Sequence, residues 1–290
     1  MKQLTIISGK GGTGKTTITS AFAHLAPNAV LSDCDVDAAD LHLILEPAIK
    51  HKESYSGGSV AFIDTAKCTQ CGSCVEACRF DAIRNFVVDP ISCEGCSLCT
   101  YVCPEEAIVM KEQISGHWFV SSTREGTMVH AKLGIAEDNS GKLVSVVRQK
   151  AKEIAEEEKK DIVIIDGPPG IGCPVIASIT GADMVLVVTE PTLSGLHDME
   201  RVLDTAKHFS IPALVCINKF DINPENSAII EDTCDKRGVR VVGRIPYDKS
   251  VTAAMIHKKS AAEYDCGDVS REVVAMWNNV SDALFAQSEG

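Results

Sequence analysis

The chain has 290 residues, of which 45% are hydrophobic and 23% charged, a composition that suits a well-packed globule with one large domain and one small one. Its formal net charge of −12 speaks against a nucleic-acid surface, because phosphate backbones are held by basic footprints. No apolar run reaches the roughly 18 residues of a membrane span, and no cleavable apolar leader precedes the first strand. The expected setting is therefore the cytoplasm without stable membrane insertion, where 13 cysteines suggest metal ligation rather than disulfides.

In chain order, "LTIIS" reads as a buried strand. A Gly-rich turn, "GKGGTGK", and a helix over residues 14–26 follow, with Pro27 closing the helix. "AVLSDCD" is the second strand, and the polar "HKESYSGG" over 51–58 reads as a linker. After a cysteine-rich segment, "GHWFVSSTREGTMVHAKL" predicts a hairpin turning near Glu125–Gly126, and a charged helix is expected over 141–160. "DIVIID", "DMVLVVT" and "PALVCIN" are short apolar runs of the kind found in parallel strands covered on both faces. A last helix over 271–285 places Val273, Val274, Trp277, Val280 and Leu284 on one side. The alternation predicts a doubly wound, mostly parallel α/β domain made of residues 1–58 and 113–290, interrupted by an inserted α+β domain over 59–112.

Residues Gly9 to Thr16 satisfy G-x-x-x-x-G-K-[ST], between a strand and a helix. The candidate phosphate-binding residues are Gly9, Lys10, Gly11, Gly12, Thr13, Gly14, Lys15, Thr16 and Thr17. Glycines let backbone amides face phosphate oxygens, and the helix N-terminus adds its dipole. Lys15 is expected to reach the β and γ phosphates of ATP, and Thr16 to bind Mg²⁺ through its hydroxyl.

The inserted segment contains the spacing C-x₂-C-x₂-C-x₃-C twice, at Cys68, Cys71, Cys74 and Cys78 and again at Cys93, Cys96, Cys99 and Cys103. This is the bacterial ferredoxin run, in which the fourth cysteine serves the other cluster. One [4Fe-4S] is thus expected on Cys68, Cys71, Cys74 and Cys103, and a second on Cys93, Cys96, Cys99 and Cys78. Zinc sites use paired ligands with longer spacers. Pro104 follows the second run but Arg79 the first, a departure in the local loop that leaves the ligands intact. "AFID" and "AIVM" are expected to bracket the insertion as paired strands, with "DAIRNFVV" as an inner turn. Eight acidic against four basic residues over 59–112 suit a basic redox partner, although surface solvation alone explains them.

The loop resembles K-G-G-x-G-K-[ST] of the deviant P-loop family that includes MinD, ParA and the nitrogenase iron protein. That resemblance implies an ATP-sandwich homodimer, or a closely related heterodimer, in which Lys10 crosses to the partner's nucleotide. "DCDVDAADLHLIL" is similar to the family's first switch region, so Asp35 would orient the attacking water and Asp40 assist. "DIVIIDGPPG" resembles its Walker B strand and second switch: Asp166 would hold Mg²⁺ through water, and Gly167 and Gly170 would let the loop move. "CINKFD" places Asn218 against adenine, and "IPYDKSV" near Pro246 resembles a second base-side loop. With the insertion, the whole chain looks like the MinD-superfamily ATPases that contain a two-cluster ferredoxin domain.

The resemblance implies an Mg-dependent ATPase coupling the nucleotide state of a dimer to electron transfer toward a redox or metalloprotein partner. Two alternatives are assembly or delivery of an iron–sulfur or metal cofactor, and nucleotide-dependent positioning or scaffolding with structural clusters. Cys173, in "PPGIGCP", is expected to be a buried free thiol, and Cys34, Cys216, Cys234 and Cys266 ordinary thiols. No histidine shows ligand spacing.

Overall fold

A computed structural model describes residues 1–134 and 140–286. In chain order the first elements are β1 (Lys2–Ser8), α1 (Lys15–Leu25), β2 (Ala29–Asp33), α2 (Leu41–Leu45) and β3 (Ala48–Ile63). Next come α3 (Ser73–Ala77), β4 (Ile83–Arg84), β5 (Val87–Val88), α4 (Leu98–Val102), β6 (Ile108–Thr123) and β7 (Gly126–Leu133). The chain continues with α5 (Ser140–Glu157), β8 (Ile162–Pro169), α6 (Cys173–Ile179), β9 (Met184–Thr189), α7 (Leu193–His208) and β10 (Ala213–Asn218). The last elements are α8 (Pro224–Lys236), β11 (Arg240–Ile245), α9 (Ser250–Ile256) and α10 (Asp268–Ala286).

The main sheet has the order β11-β10-β9-β1-β8-β2-β7-β6-β3. The pairs β1/β8, β1/β9, β9/β10, β10/β11, β2/β8 and β2/β7 are parallel. Its central strands are apolar on both faces because helices cover both. Successive residues point to opposite sides: Ile6, Leu186 and Val188 pack with Phe22, Val273 and Val280, whereas Ile7, Val185 and Val187 pack with Val175, Met199 and Val202. Phe22 is fully buried with its ring 4.9 Å from that of Trp277, and truncating it to alanine costs about 3–5 kcal/mol.

The chain divides into two compact units, one of Met1–Lys52, Trp118–Ala131 and Ser140–Gly290, the other of Glu53–His117 with the short piece that begins at Lys132. The second unit has a small apolar core of Ala61, Ile63, Cys74, Ile83 and Ile108, against which Cys68, Cys78, Cys93, Cys99, Cys103 and Met110 pack. Its helices α3 and α4 begin after residues in the left-handed region, Gly72 (φ 90°) and Ser97 (φ 64°).

Three sequence expectations need correction. Residues 51–58 are not a linker but part of the 16-residue strand β3; Ser56 Oγ donates to Gln113 O at 2.9 Å and Gly57 N to Ser115 Oγ at 3.2 Å. The boundaries of the second unit therefore lie outside 59–112, at Glu53 and His117. On α10, Val274 is 39% exposed and the buried stripe is Val273, Met276, Val280 and Leu284, since 274 sits about 100° around the helix from 273. Met276 fills the space left by Gly243, where a Cβ would come 2.5 Å from its sulfur. The hairpin at 124–125, the helix over 140–157 and the β4–β5 turn agree with expectation.

Candidate functional site

The phosphate loop joins β1 to α1, at the carboxyl ends of the parallel strands, where open α/β sheets bind ligands. It opens onto a cleft of about 460 Å³ lined by Gly11, Gly12, Gly14, Lys15, Thr16, Thr17, Asp35, Asp40, Asn218, Lys219, Pro246 and Tyr247, among others; that volume lies in the range of small-molecule sites. Gly14 takes φ 95°, and a Cβ there would meet Asn218 Nδ2 at 2.4 Å. Glycine is needed both for the backbone and for the approach. Gly9 lies against α7, with its would-be Cβ 2.3 Å from that of Asp198.

Lys15 and Asp35 form a buried ion pair at 3.5 Å, with side chains 6% and 9% exposed. Asp166 accepts from the hydroxyls of Thr16 at 2.7 Å and Thr19 at 2.9 Å. The parallel register sets Asp33 of β2 opposite Asp166 of β8, so three carboxyl groups gather here, two of which, Asp35 and Asp166, feel the Lys15 ammonium. Burial drives the Asp166 carboxyl up to about 6, against the pull of Lys15 and the two threonine hydroxyls. Burial and then the Asp166 charge raise Asp33 well above the usual carboxylate range; burial also raises Asp35, opposed by Lys15. Asp33 Oδ2 is buried without a hydrogen-bond partner. This concentration of carboxyl oxygen, with one atom unpartnered, suits a hard divalent cation such as Mg²⁺, for which Thr16 and Asp166 are the candidate holders.

Asn218 Nδ2 donates to Thr13 O at 2.7 Å, and its Oδ1 accepts from Lys219 N at 3.0 Å. Asn218 thus lines the cleft and also fastens the phosphate loop. Lys10 Nζ lies 3.4 Å from Thr192 Oγ1 and 3.5 Å from Ser194 Oγ of its own chain. Thr13 is almost fully buried, its Oγ1 unpartnered. Gly167 differs from expectation: it lies within β8, where a Cβ would come 2.5 Å from Ile7 Cγ2, so its place is close packing rather than loop motion. Gly170, at φ 95°, provides the turn. Sequence reasoning missed Asp33, Thr19, Lys219 and Glu190. Lys219 Nζ reaches Gly12 O at 3.4 Å and Glu190 at 3.7 Å; the position of Glu190 just past the end of β9 was the available signal.

In the second unit the eight cysteines sort into two cavities. Cys68, Cys71, Cys74 and Cys103 line one, and Cys78, Cys93, Cys96 and Cys99 line the other. All are free thiols. Each cavity therefore takes three cysteines from one run and the fourth from the other. The repeat extends to the backbone: Gln70 and Gly95, Gly72 and Ser97, and Asp81 and Glu106 occupy equivalent places, and all six have positive φ. The hydroxyl of Ser73 holds the Cys71 thiol below its ordinary value, while burial pushes Cys74 and Cys99 up. Thiolate sets of this kind suit iron–sulfur clusters, and a unit with so few buried apolar side chains is of the size class that metals commonly staple. Arg79 is exposed and stacks over Phe80 at 4.9 Å. Cys173 is exposed at the start of α6, contrary to expectation, whereas Cys34, Cys216, Cys234 and Cys266 are buried.

Residues 4–261 match the CobQ/CobB/MinD/ParA nucleotide binding domain family. An uncharacterized protein of Methanocaldococcus jannaschii is 33% identical over 263 residues, 88% of either chain. The septum site-determining protein MinD of Thermotoga maritima is 25% identical over 224 residues, covering 75% of this chain and 64% of its own. Among solved structures, the septum site-determining protein MinD complexed with Mg-ADP from Pyrococcus horikoshii OT3 aligns with a TM-score of 0.61 at 17% identity, over 100% of this chain and 99% of the other. The MinC:MinD cell division protein complex of Aquifex aeolicus gives 0.58 at 18% identity, over 97% and 96%. At these identities the two structures speak for the fold alone. Among the described residues no helix is long and apolar enough to cross a membrane.

Proposed function

Because the chain belongs to the CobQ/CobB/MinD/ParA nucleotide-binding family, we propose that it is an Mg-dependent ATPase whose nucleotide state controls electron transfer through two [4Fe-4S] clusters. The observation that carries the cluster half of this reading is the sorting of eight free cysteines into two sets of four, each completed by the opposite run. Cys68, Cys71, Cys74 and Cys103 would hold one cluster, Cys78, Cys93, Cys96 and Cys99 the other; when bound, each supplies a one-electron redox couple.

The residues of the cleft divide the work on the nucleotide. Backbone amides from Gly9 to Thr17 receive the phosphates, and Lys15 neutralises their charge. Phosphate arriving at Lys15 competes with Asp35, the present partner of that ammonium. Released, the Asp35 carboxylate is available to orient a water for attack on the γ-phosphoryl group. Thr16 and Asp166 would hold Mg²⁺, which supplies charge neutralisation to the transferred group when bound. Asn218 and the segment at Pro246–Tyr247 line the same cleft and would face the base.

Lys10 rests on Thr192 and Ser194 by two long contacts, weak enough to exchange for the nucleotide of a second copy in a homodimer or closely related heterodimer. MinC:MinD, one of the structural neighbours, is a complex with a second protein; here the expected partner is a redox or metalloprotein. Coupling requires that the nucleotide favour one of two states of the dimer, and is bounded by its difference in affinity for them.

The test is an anaerobic EPR redox titration of the full chain with and without Mg-ATP, alongside iron and sulfide analysis. Eight irons per chain and midpoint potentials that move with nucleotide support the reading; a shift of about 59 mV in a one-electron couple equals about 1.4 kcal/mol of coupling. Eight irons, active hydrolysis and unmoved potentials remove redox gating. Transfer of iron to an apo-acceptor would then select the cofactor-delivery alternative.

A further inference from the structure

The two cysteine runs repeat each other, but they differ at the residue before the third cysteine, which is Ser73 in the first and Leu98 in the second. Both begin short helices of the same length, α3 and α4. Ser73 Oγ lies 3.5 Å from Cys71 Sγ. A cysteine ligating a metal is a thiolate, which only accepts, so the hydroxyl is the donor. A second donor, Ala107 N, reaches Cys103 Sγ at 3.3 Å. Cys71 and Cys103 come from different runs yet line the same cavity, so both bonds fall on one ligand set. Leu98 lines the other cavity and brings only carbon to it, and Ser97, which lines it too, donates its hydroxyl to Gly95 O at 3.4 Å.

Charge in the linings does not reproduce this asymmetry, since each cavity has one glutamate, Glu105 in one and Glu94 in the other. Arg79 stands on the Phe80 side, but it is exposed and water and salt screen its charge. The Ser73 hydroxyl, by contrast, is in direct contact with a ligand sulfur.

If, as proposed above, the two sets hold clusters, adding an electron makes the ligand sulfurs more negative. A hydrogen bond donated to such a sulfur strengthens with that charge and favours the reduced form. We propose that the Ser73 hydroxyl and the Ala107 amide make the Cys68/Cys71/Cys74/Cys103 set the higher-potential of two unequal cluster sites, so that the first electron to enter the protein rests there. Each site takes one electron. The second electron enters the Cys78/Cys93/Cys96/Cys99 set, where it is held less firmly and passes on more readily. Ser73 is a positioning residue for charge; it does not ligate.

The experiment is an anaerobic titration of the full chain with dithionite as electron donor, followed by EPR, with iron and sulfide counted in each sample. The wild-type chain is expected to hold eight irons and to show two resolved couples. Ser73→Ala lowers the higher potential and leaves the lower one in place, and Ser73→Thr, which keeps the hydroxyl, restores it. Leu98→Ser supplies the missing hydroxyl and raises the lower potential, so either change narrows the gap. Should Ser73→Ala lose iron, Leu98→Ser still decides the matter through the lower couple. With eight irons present, two coincident wild-type couples, or potentials that ignore both substitutions, overturn the proposal and leave the cluster assignment standing. A wild-type iron content far below eight overturns the assignment itself and the proposal with it.

Discussion

The side-chain amide of Asn218 donates to the carbonyl of Thr13 at 2.7 Å, tying the end of β10 to the phosphate loop. Asn218→Ala removes that bond and leaves a loop carbonyl to find another partner, a loss of about 1–3 kcal/mol. The expected result is weaker binding of ATP and GTP alike, by roughly tenfold or more. Calorimetry with both nucleotides checks it; a loss confined to ATP would mean that Asn218 acts on the base and not on the loop.

Asp33 faces Asp166 in the β2/β8 register with one oxygen unpartnered. Its carboxyl titrates well above the usual range, so the folded state binds the proton more tightly than the unfolded chain does. A raised acid pKa means that stability falls as pH climbs from the unfolded value toward the folded one. Asp33→Asn keeps the acceptor that Asp35 N uses and removes the charge. The nucleotide-free variant should therefore melt higher than wild type at pH 8, with the advantage shrinking as pH falls. Thermal midpoints at pH 8 and pH 5.5 check this; a variant less stable by the same amount at both would count against it.

Arg124 makes a bidentate pair with Glu263 and donates to Ile44 O at 2.8 Å. Burial alone would raise the Glu263 carboxyl, but the bonds from Arg124 and Ser260 outweigh it and hold it at about 2. For a depressed acid pKa the contribution to stability is complete above the unfolded value and lost as pH falls through the folded one. Arg124→Ala should thus lower the melting midpoint at pH 7, and its deficit should narrow in acid below about pH 4.5. A deficit independent of pH would assign the effect to the Ile44 contact instead.

Gly95 has φ 63°, and a Cβ there would sit 2.5 Å from the carbonyl oxygen of Ser59. Both partners are backbone, so neither can yield cheaply. Gly95→Ala should displace Cys93 and Cys96 from their cavity while leaving the phosphate loop untouched. Iron content should drop to about half with ATP affinity unchanged. Retention of all eight irons would show that the loop can shift after all.

Lys10 lies at long range from Thr192 and Ser194 and is not among the residues that line the cleft. Lys10→Ala should keep nucleotide affinity within about threefold and abolish ATP-dependent association, as read by light scattering; the small change corresponds to less than about 1 kcal/mol. An ATP-dependent dimer formed by the variant would remove Lys10 from the interface.

The phosphate loop was legible because its chemistry depends on spacing: glycines at fixed places, then Lys15 and Thr16 at the helix start. The cysteine sets were legible for the same reason, down to the exchange of Cys78 and Cys103. Asp33, Lys219 and Glu190 were not, because only the strand order sets β2 beside β8 on one side of β1 and β9 and β10 on the other, around the phosphate loop. Strand β3 escaped notice through a different cause. Residues 51–58 are mostly exposed, so no hydrophobic period marks them, and main-chain pairing with β6 carries the strand. Val274 was misplaced because adjacent valines are equally apolar, and only the helix turn decides which faces the core.

The exchange of fourth cysteines between the two cavities has a consequence for how this segment can be made and altered. A duplicated sequence usually yields two modules, either of which can be deleted or left to decay. Here each half lends the other a thiol, so neither site can be finished before both halves have been synthesised and brought together. Cutting out one run would leave its twin's cavity with three cysteines, not four. The two copies are thus bound into a single unit of inheritance and of assembly, linked like two rings of a chain that can only be closed together.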